Sequence, residues 1–340
     1  MTVKKIIKSF LQWSAAITLG FCIVNLLCMA YERPVGWIDT PNGPSPAGWN
    51  PGAVLIHGTE GYGINKIDGN GYINPQGTLQ EPFVLCMGSS HTQGKELSAG
   101  ENYVSLINQQ YSKASGSLAA YNIASDGNFL PSLIKHFPAA VEAFPHPAAI
   151  TIEISSADFS VEELQNAMEQ TTYNEHQSVK NLSSHMGLKD KLKVFIKEYL
   201  PLVSLVKSKL ETSAAAPIGD AAPEAGSKAD AQAALENAIA KIRSQYNGKI
   251  LFIYHTQTII EEDGTVSFAP DALFDTLQSA CTENDIALLD MRPIFAEHYA
   301  QHREIPYGFS NTKPGNGHLN ALGHRLIAEA VSQQIREVMA

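Results

Sequence analysis

Two stretches of the chain place reactive side chains in glycine-flanked turns. In "FVLCMGSSHTQG" (83–94) the apolar residues end at Met87, and Gly88, Ser89, Ser90, His91 and Thr92 follow. A serine hydroxyl is a weak nucleophile unless a base lies within hydrogen-bond reach. It also needs N–H donors aimed at the oxyanion that its attack creates. The second stretch, "NTKPGNGHLNALGHRLIAEAVSQQI" (311–335), supplies such a base in His318. That histidine sits on a Gly-rich loop directly before a helix for which Asn320 is the expected N-cap. A side chain there is fixed at its root and free at its tip. His324 falls inside the same helix and reads as structural. Together the two stretches suggest acyl transfer through Ser90 with His318 as base, although 83–94 alone also reads as a plain chain reversal.

The elements between these stretches explain how they would meet. Short β-rich apolar runs occur at "FVLCM", "AAYNI", "AAITIEI", "KILFIYH" and "IALLD". Helical segments separate them, roughly 101–112, 128–144, 232–246 and 269–283, with a last helix after Asn320. Strands alternating with helices predict a mainly parallel five-stranded sheet in a three-layer α/β/α sandwich. Ligands of such sheets bind at the carboxyl ends of the strands. Ser90 and Asp126 both follow strand ends, so they share that rim. Before the alternation, residues 32–81 form a loop-rich lead-in with the turn signals Asp-Gly and Asn-Gly in "IDGNGYINPQG". Its "HGTEGYG" lacks the strand-before, helix-after setting of a phosphate loop and reads as a turn.

Composition narrows the class. A chain of 340 residues carrying a net charge of −10 is a poor nucleic-acid binder. The four cysteines form no CxxC or Cys/His cluster, so neither a zinc site nor a disulfide framework is expected. At the N-terminus Lys4, Lys5 and Lys8 precede an apolar run from Phe10 to Tyr31. That length suits a single-pass helix with a cytoplasmic N-terminus and an extracytoplasmic body. The rival is a cleaved signal peptide and a secreted body. The site near Ala30 suits cleavage poorly, and neither Cys22 nor Cys28 follows a lipobox, so residues 1–31 read as an anchor. Residues 82–340 form the main domain, with an insertion at about 170–231. Within the insertion, 188–210 has apolar residues at helical spacing and six lysines against Asp190 and Glu198. This basic amphipathic helix suits a membrane surface, a lid, or simple packing on the body with its lysines in water. The Ala/Pro/Gly-rich stretch after it reads as a linker.

In the order and spacing of its blocks, 82–338 resembles the SGNH/GDSL hydrolase family. "MGSSHTQG" resembles the nucleophile block, with Ser90 as nucleophile. "YNIASDGNF" resembles the second block, in which Asn122 closes a strand and the Gly127 amide serves the oxyanion beside that of Ser90. "GNGHLNALGH" resembles the last block, with His318 as base. "DGNGYINPQG" is similar to the lead-in of exported members. The resemblance implies the flavodoxin-like SGNH fold and no cofactor or metal.

Three positions depart from the family pattern. Ser89 stands where the family has Asp. In "EISSADF", Ala157 stands where an Asn amide would serve the oxyanion, a loss worth about 10²–10³ in rate unless Ser156 or Asn128 takes over. Gly315 replaces the acid three residues before the histidine. That leaves a Ser90–His318 dyad oriented by a backbone carbonyl, Asn316 or Asn311. Asp290, Asp126 and Asp158 read as structural or solvent-facing.

The expected function is a serine esterase acting on acyl esters, O-acetyl groups foremost, of cell-surface glycans or related carbohydrates. Two alternatives stand beside it. One is an inactive SGNH-type glycan-binding protein or partner of a membrane acyltransferase. The other is a lipase or esterase of small esters.

Overall fold

The computed structural model describes residues 3–36, 49–75, 79, 81–111, 119–169, 187–203, 205–206, 228–313 and 315–339. Most of the linker expected after the amphipathic helix lies outside them.

All five expected parallel strands are present. They are β3 (Phe83–Met87), β4 (Ala119–Asn122), β5 (Ala149–Ile154), β6 (Lys249–Tyr254) and β9 (Ala287–Asp290), in the order β4-β3-β5-β6-β9. Every neighbouring pair is parallel, with Val84 opposite Ala120 and Ala149, and Leu251 opposite both Thr151 and Ala287. The chain runs outward from β3 to β4, then returns to β5 on the other side. The carboxyl end of β3 is therefore the switch point at which such sheets bind ligands.

Both faces of the sheet are covered, which is why β3 and β5 are apolar almost throughout. Phe83, Leu85, Met87, Ile150, Ile152 and Phe252 enter one core beneath α4 (Leu130–Ala143), α5 (Val161–Glu169), α7 (Lys228–Gln245) and α8 (Phe274–Glu283). Val84, Cys86, Leu251 and Ile253 enter the other, against α3 (Tyr103–Leu106), α9 (Arg292–His302) and α10 (Ala321–Met339). The helix expected over 101–112 is a single α-turn that passes into a π-turn at Ile107–Tyr111. Helix α9 and the hairpin β7 (Thr258–Ile260) with β8 (Val266–Phe268) had not been anticipated.

The lead-in has its own small core of Val35, Leu55, Ile67 and Ile73, built on the hairpin β1 (Val54–His57) and β2 (Gly63–Lys66). Contacts on more than one side fasten it to the body. Asn65 Nδ2 donates to the Leu97 carbonyl at 2.7 Å, and a Cβ at Gly63 would lie 2.2 Å from the Lys95 carbonyl. On the far side, Asp68 accepts from the Tyr121 hydroxyl at 2.6 Å, and Asn74 exchanges hydrogen bonds with the backbone of Asn122. The N-terminal helix α1 (Val3–Tyr31) is apolar enough to cross a membrane or to serve as a signal sequence. Its only buried residue is Asn25.

Candidate active site

Gly88 lets β3 turn sharply, because a Cβ there would meet Thr92 Oγ1 at 2.2 Å and Glu153 Oε2 at 2.6 Å. The one-turn helix α2 (Ser90–Gln93) then starts with Ser89 as N-cap, its hydroxyl accepting from the His91 amide. Asn122 Nδ2 donates to the Thr92 carbonyl at 2.9 Å, so the residue closing β4 holds this turn. Ser90 is the first residue of α2 and only 7% exposed.

His318 reaches Ser90 from the C-terminal loop. Its Nε2 lies 2.9 Å from Ser90 Oγ. The expected N-cap is present too, since Asn320 Oδ1 accepts from the Leu322 and Gly323 amides. His324 is buried in α10, where its Nδ1 accepts from the Tyr103 amide at 3.0 Å. Burial pushes its pKa down to about 3, so it is neutral and structural.

The acid partner comes from the lead-in. Glu60, in the turn between β1 and β2, accepts from the His318 amide at 2.7 Å through Oε1. Its Oε2 lies 2.7 Å from His318 Nδ1. This corrects the dyad read from the sequence: His318 Nδ1 faces a carboxylate from a distant part of the chain, not a backbone carbonyl, Asn316 or Asn311. Asn311 does not orient the histidine but the acid. Its Oδ1 accepts from the Gly61 amide, and its Nδ2 donates to the Gly58 and Gly61 carbonyls. Gly317, at φ +89°, completes the fit, because a Cβ there would lie 2.2 Å from Glu60 Oε1. The Asn316 side chain is not part of this arrangement and lines a separate small cavity. Glu96 Oε1 stands 3.6 Å from His318 Nδ1, and burial raises its pKa.

A second carboxylate, also missed in the sequence, supports the Ser90 turn from below. Glu153, fully buried in β5, accepts from the Ser89 amide and hydroxyl and from the Thr92 hydroxyl, each at 2.9 Å. Its other neighbour is His255, whose Nε2 lies 3.0 Å away and whose Nδ1 lies 2.5 Å from the Tyr307 hydroxyl. Burial alone would raise the Glu153 pKa, but His255 and the Ser89 amide pull it down to about 2. Ser89 thus binds this buried carboxylate through both its amide and its hydroxyl. His91 is held neutral by burial and by His255 beside it, and its ring packs 5.2 Å from that of His318.

The oxyanion candidates are distributed around this centre. Gly127 adopts φ +72° in an exposed turn after β4 and lines a cleft of about 640 Å³ with Met87, Lys95, Asp126 and Asn128. Asp126 is paired with Lys95 at 2.5 Å. Asp290 is paired with Arg292. The amide of buried Ala157 is engaged, donating to Asp271 Oδ2 at 2.6 Å. Ser156 accepts from the Asp158 amide and faces the small cavity, so the candidate substitutes Ser156 and Asn128 lie in different cavities. Among the described residues, no three His, Cys, Asp or Glu side chains are grouped to hold a metal ion.

No protein-family model matches the chain, and no curated protein is significantly similar to it. Solved structures that match include TesA, at 13% identity over 75% of this chain and 99% of that one, with a TM-score of 0.41. The acetyl xylan esterase AlAXEase matches at 16% identity over 74% and 98%, with a TM-score of 0.40. A member of the lipolytic protein G-D-S-L family from Veillonella parvula matches at 14% identity over 74% and 96%, with a TM-score of 0.34. At these identities and TM-scores, the functional reading rests on the site's own geometry.

Proposed function

We propose that the chain is a serine esterase that removes acyl groups, O-acetyl foremost, from cell-surface glycans through an acyl-Ser90 intermediate. One observation carries this reading: the unbroken relay from Ser90 Oγ to His318 Nε2, and from His318 Nδ1 to Glu60. As Ser90 Oγ attacks the ester carbonyl, its proton passes to His318 Nε2. Glu60 keeps the imidazole in the tautomer whose Nε2 is free to accept, and stabilises the imidazolium that forms. The Ser90 and Gly127 amides receive the oxyanion. On collapse, His318 returns the proton to the departing sugar hydroxyl. It then takes a proton from water, which releases the acid, or from an acceptor hydroxyl, which completes a transfer. The apolar α1 and the lysines in its first two turns support a body anchored outside the cytoplasm, near surface glycans.

Fluorophosphonate labelling and aryl acetate hydrolysis test the reading. The wild-type chain should label and turn over, and Ser90→Ala and His318→Ala should do neither. A wild-type chain that does not label would sink the esterase and leave a glycan-binding or acyltransferase-partner role. A preference for long acyl chains over acetyl would favour the lipase instead.

A further inference from the structure

The basic helix of the insertion, α6 (Leu188–Tyr199), leaves its apolar face uncovered. Leu188, Leu192, Phe195 and Tyr199 are 86%, 56%, 53% and 44% exposed. Their spacing of four, three and four residues aligns them in one stripe. Phe195 and Tyr199 stack on each other with ring centroids 5.0 Å apart. Immediately beyond α6, Val203 and Val206 are exposed as well. At 100° per residue, Lys189 and Lys191 fall on the two flanks of the stripe. Both are exposed, as are Lys193 and Lys197.

The body holds α6 by another face. Glu198, buried, accepts from the Gly36 amide at 3.1 Å and from Asn50 Nδ2 at 3.0 Å, and Val194 packs on Gly36. The end of α6 is fastened to α1 itself. Asn25 Nδ2 donates to the Tyr199 carbonyl at 2.7 Å, and the Leu202 amide donates to Asn25 Oδ1 at 3.4 Å. Asn25 precedes Tyr31 by six residues, so this joint lies roughly 9 Å inside the exit end of α1. Arg33 lies over the Tyr199 ring at 5.2 Å, just past that end.

From these contacts we propose that α6 lies in the plane of an anionic lipid bilayer, its apolar stripe in the headgroup boundary and its lysines on the lipid phosphates. A helix joined to a membrane-crossing segment this near its exit is held at interfacial depth. An aromatic and aliphatic stripe flanked by lysines is the pattern that interfacial helices use. The inference rests on α1 remaining in the bilayer and not on the esterase chemistry. It makes α6 a second membrane contact. Because Lys197 and Glu32 line the cleft that also holds Gly127, it sets that cleft beside the bilayer surface.

The test uses the full-length chain in vesicles of phosphatidylglycerol and phosphatidylcholine, with Phe195→Trp or, at the most exposed position, Leu188→Trp. Each spectrum is taken as the difference from the parent chain. The added tryptophan should emit in the blue and be quenched by lipids brominated near the headgroup end of the acyl chain. Quenching should fall at least threefold in pure phosphatidylcholine, and similarly with Lys189→Glu and Lys191→Glu together. Water-like, unquenched emission from both variants would overturn the docking, and blue but unquenched emission would assign the stripe to a second copy or another protein. Alkaline carbonate separates the two premises. A chain released from the vesicles would overturn the anchor and the docking together, whereas a retained chain with unquenched tryptophan would overturn the docking alone.

Discussion

Ser90 and Glu60 meet the two sides of the same imidazole but are supported very differently. Ser90 stands at the switch point of a five-stranded sheet, with Asn122 and buried Glu153 bracing its turn. Glu60 stands on a two-stranded hairpin with a small core of its own, joined to the body through Asn65, Asn311 and the Asp68 cluster. Ser90 thus belongs to the five-stranded body, while the carboxylate facing His318 is supplied by a hairpin with a core of its own. A relay needs a carboxylate at a point in space, and nothing requires that carboxylate to be near the histidine in sequence. Here the loop position Gly315 has φ +77°, and its carbonyl accepts from Gln257, so the local route is closed.

The largest effect that tests this contrast is on the acid. Glu60→Gln keeps the shape but removes the charge facing the imidazolium, and its amide can favour the wrong tautomer. Turnover should fall by roughly 10³–10⁴ with KM little changed, and Glu60→Asp should recover part of the loss. A Glu60→Gln enzyme within a factor of three of wild type would return the site to a dyad.

The contrast between the two supports also explains what could be read in the sequence. Buried parallel strands announce themselves as continuous apolar runs, and all five were legible. Ser90 stood out because a glycine-flanked turn ends an apolar run, and His318 because a Gly-rich loop leads into an N-capped helix. Glu60 was not, because a carboxylate in a turn has no periodicity, and its partner lies 258 residues away. The glycines around it were the available signal. Gly61, at φ +66°, would place a Cβ 2.4 Å from the Glu96 carbonyl, so this turn is pressed against the body. Glu153 carried a clearer sign, a lone acid inside "AAITIEI", since buried acids are rare unless partnered. The apolar stripe of α6 was visible as a pattern, but its exposure depends on tertiary packing.

A smaller effect should follow from loosening the acid's turn. Asn311→Ala removes three hydrogen bonds that fix Gly58 and Gly61 while leaving Glu60, His318 and Ser90 in place. We expect about a tenfold loss in kcat and about 1–3 kcal/mol of stability, the cost of unpaired, part-buried polar groups. Phosphonate labelling should slow in proportion to kcat, because both report the activated serine. Unchanged labelling beside a lower Tm would show that Asn311 supports the fold and not the acid.

The smallest effect on turnover, and a large one on acid stability, belongs to the carboxylate under the nucleophile. In the folded chain the Glu153 pKa is about 2, below its ordinary 4.5, and that of His324 is about 3, below its ordinary 6.5. Both are depressed, so each contributes stability above its unfolded pKa that is lost as pH falls toward the folded one. The decline should begin near pH 6.5, where unfolded His324 and His91 start to take protons that the folded chain refuses. It should steepen below 4.5 as Glu153 joins, whose share is on the order of 3 kcal/mol between pH 4.5 and 2. Glu153→Gln should flatten the lower part of a stability curve measured by urea unfolding and leave the upper part. Because it also unpairs buried His255, it should lower stability at pH 7, with turnover changing less than in Glu60→Gln. A lower limb that keeps its slope in Glu153→Gln would mean that another carboxylate carries it. The Glu153 network would then be a passive brace under Ser90.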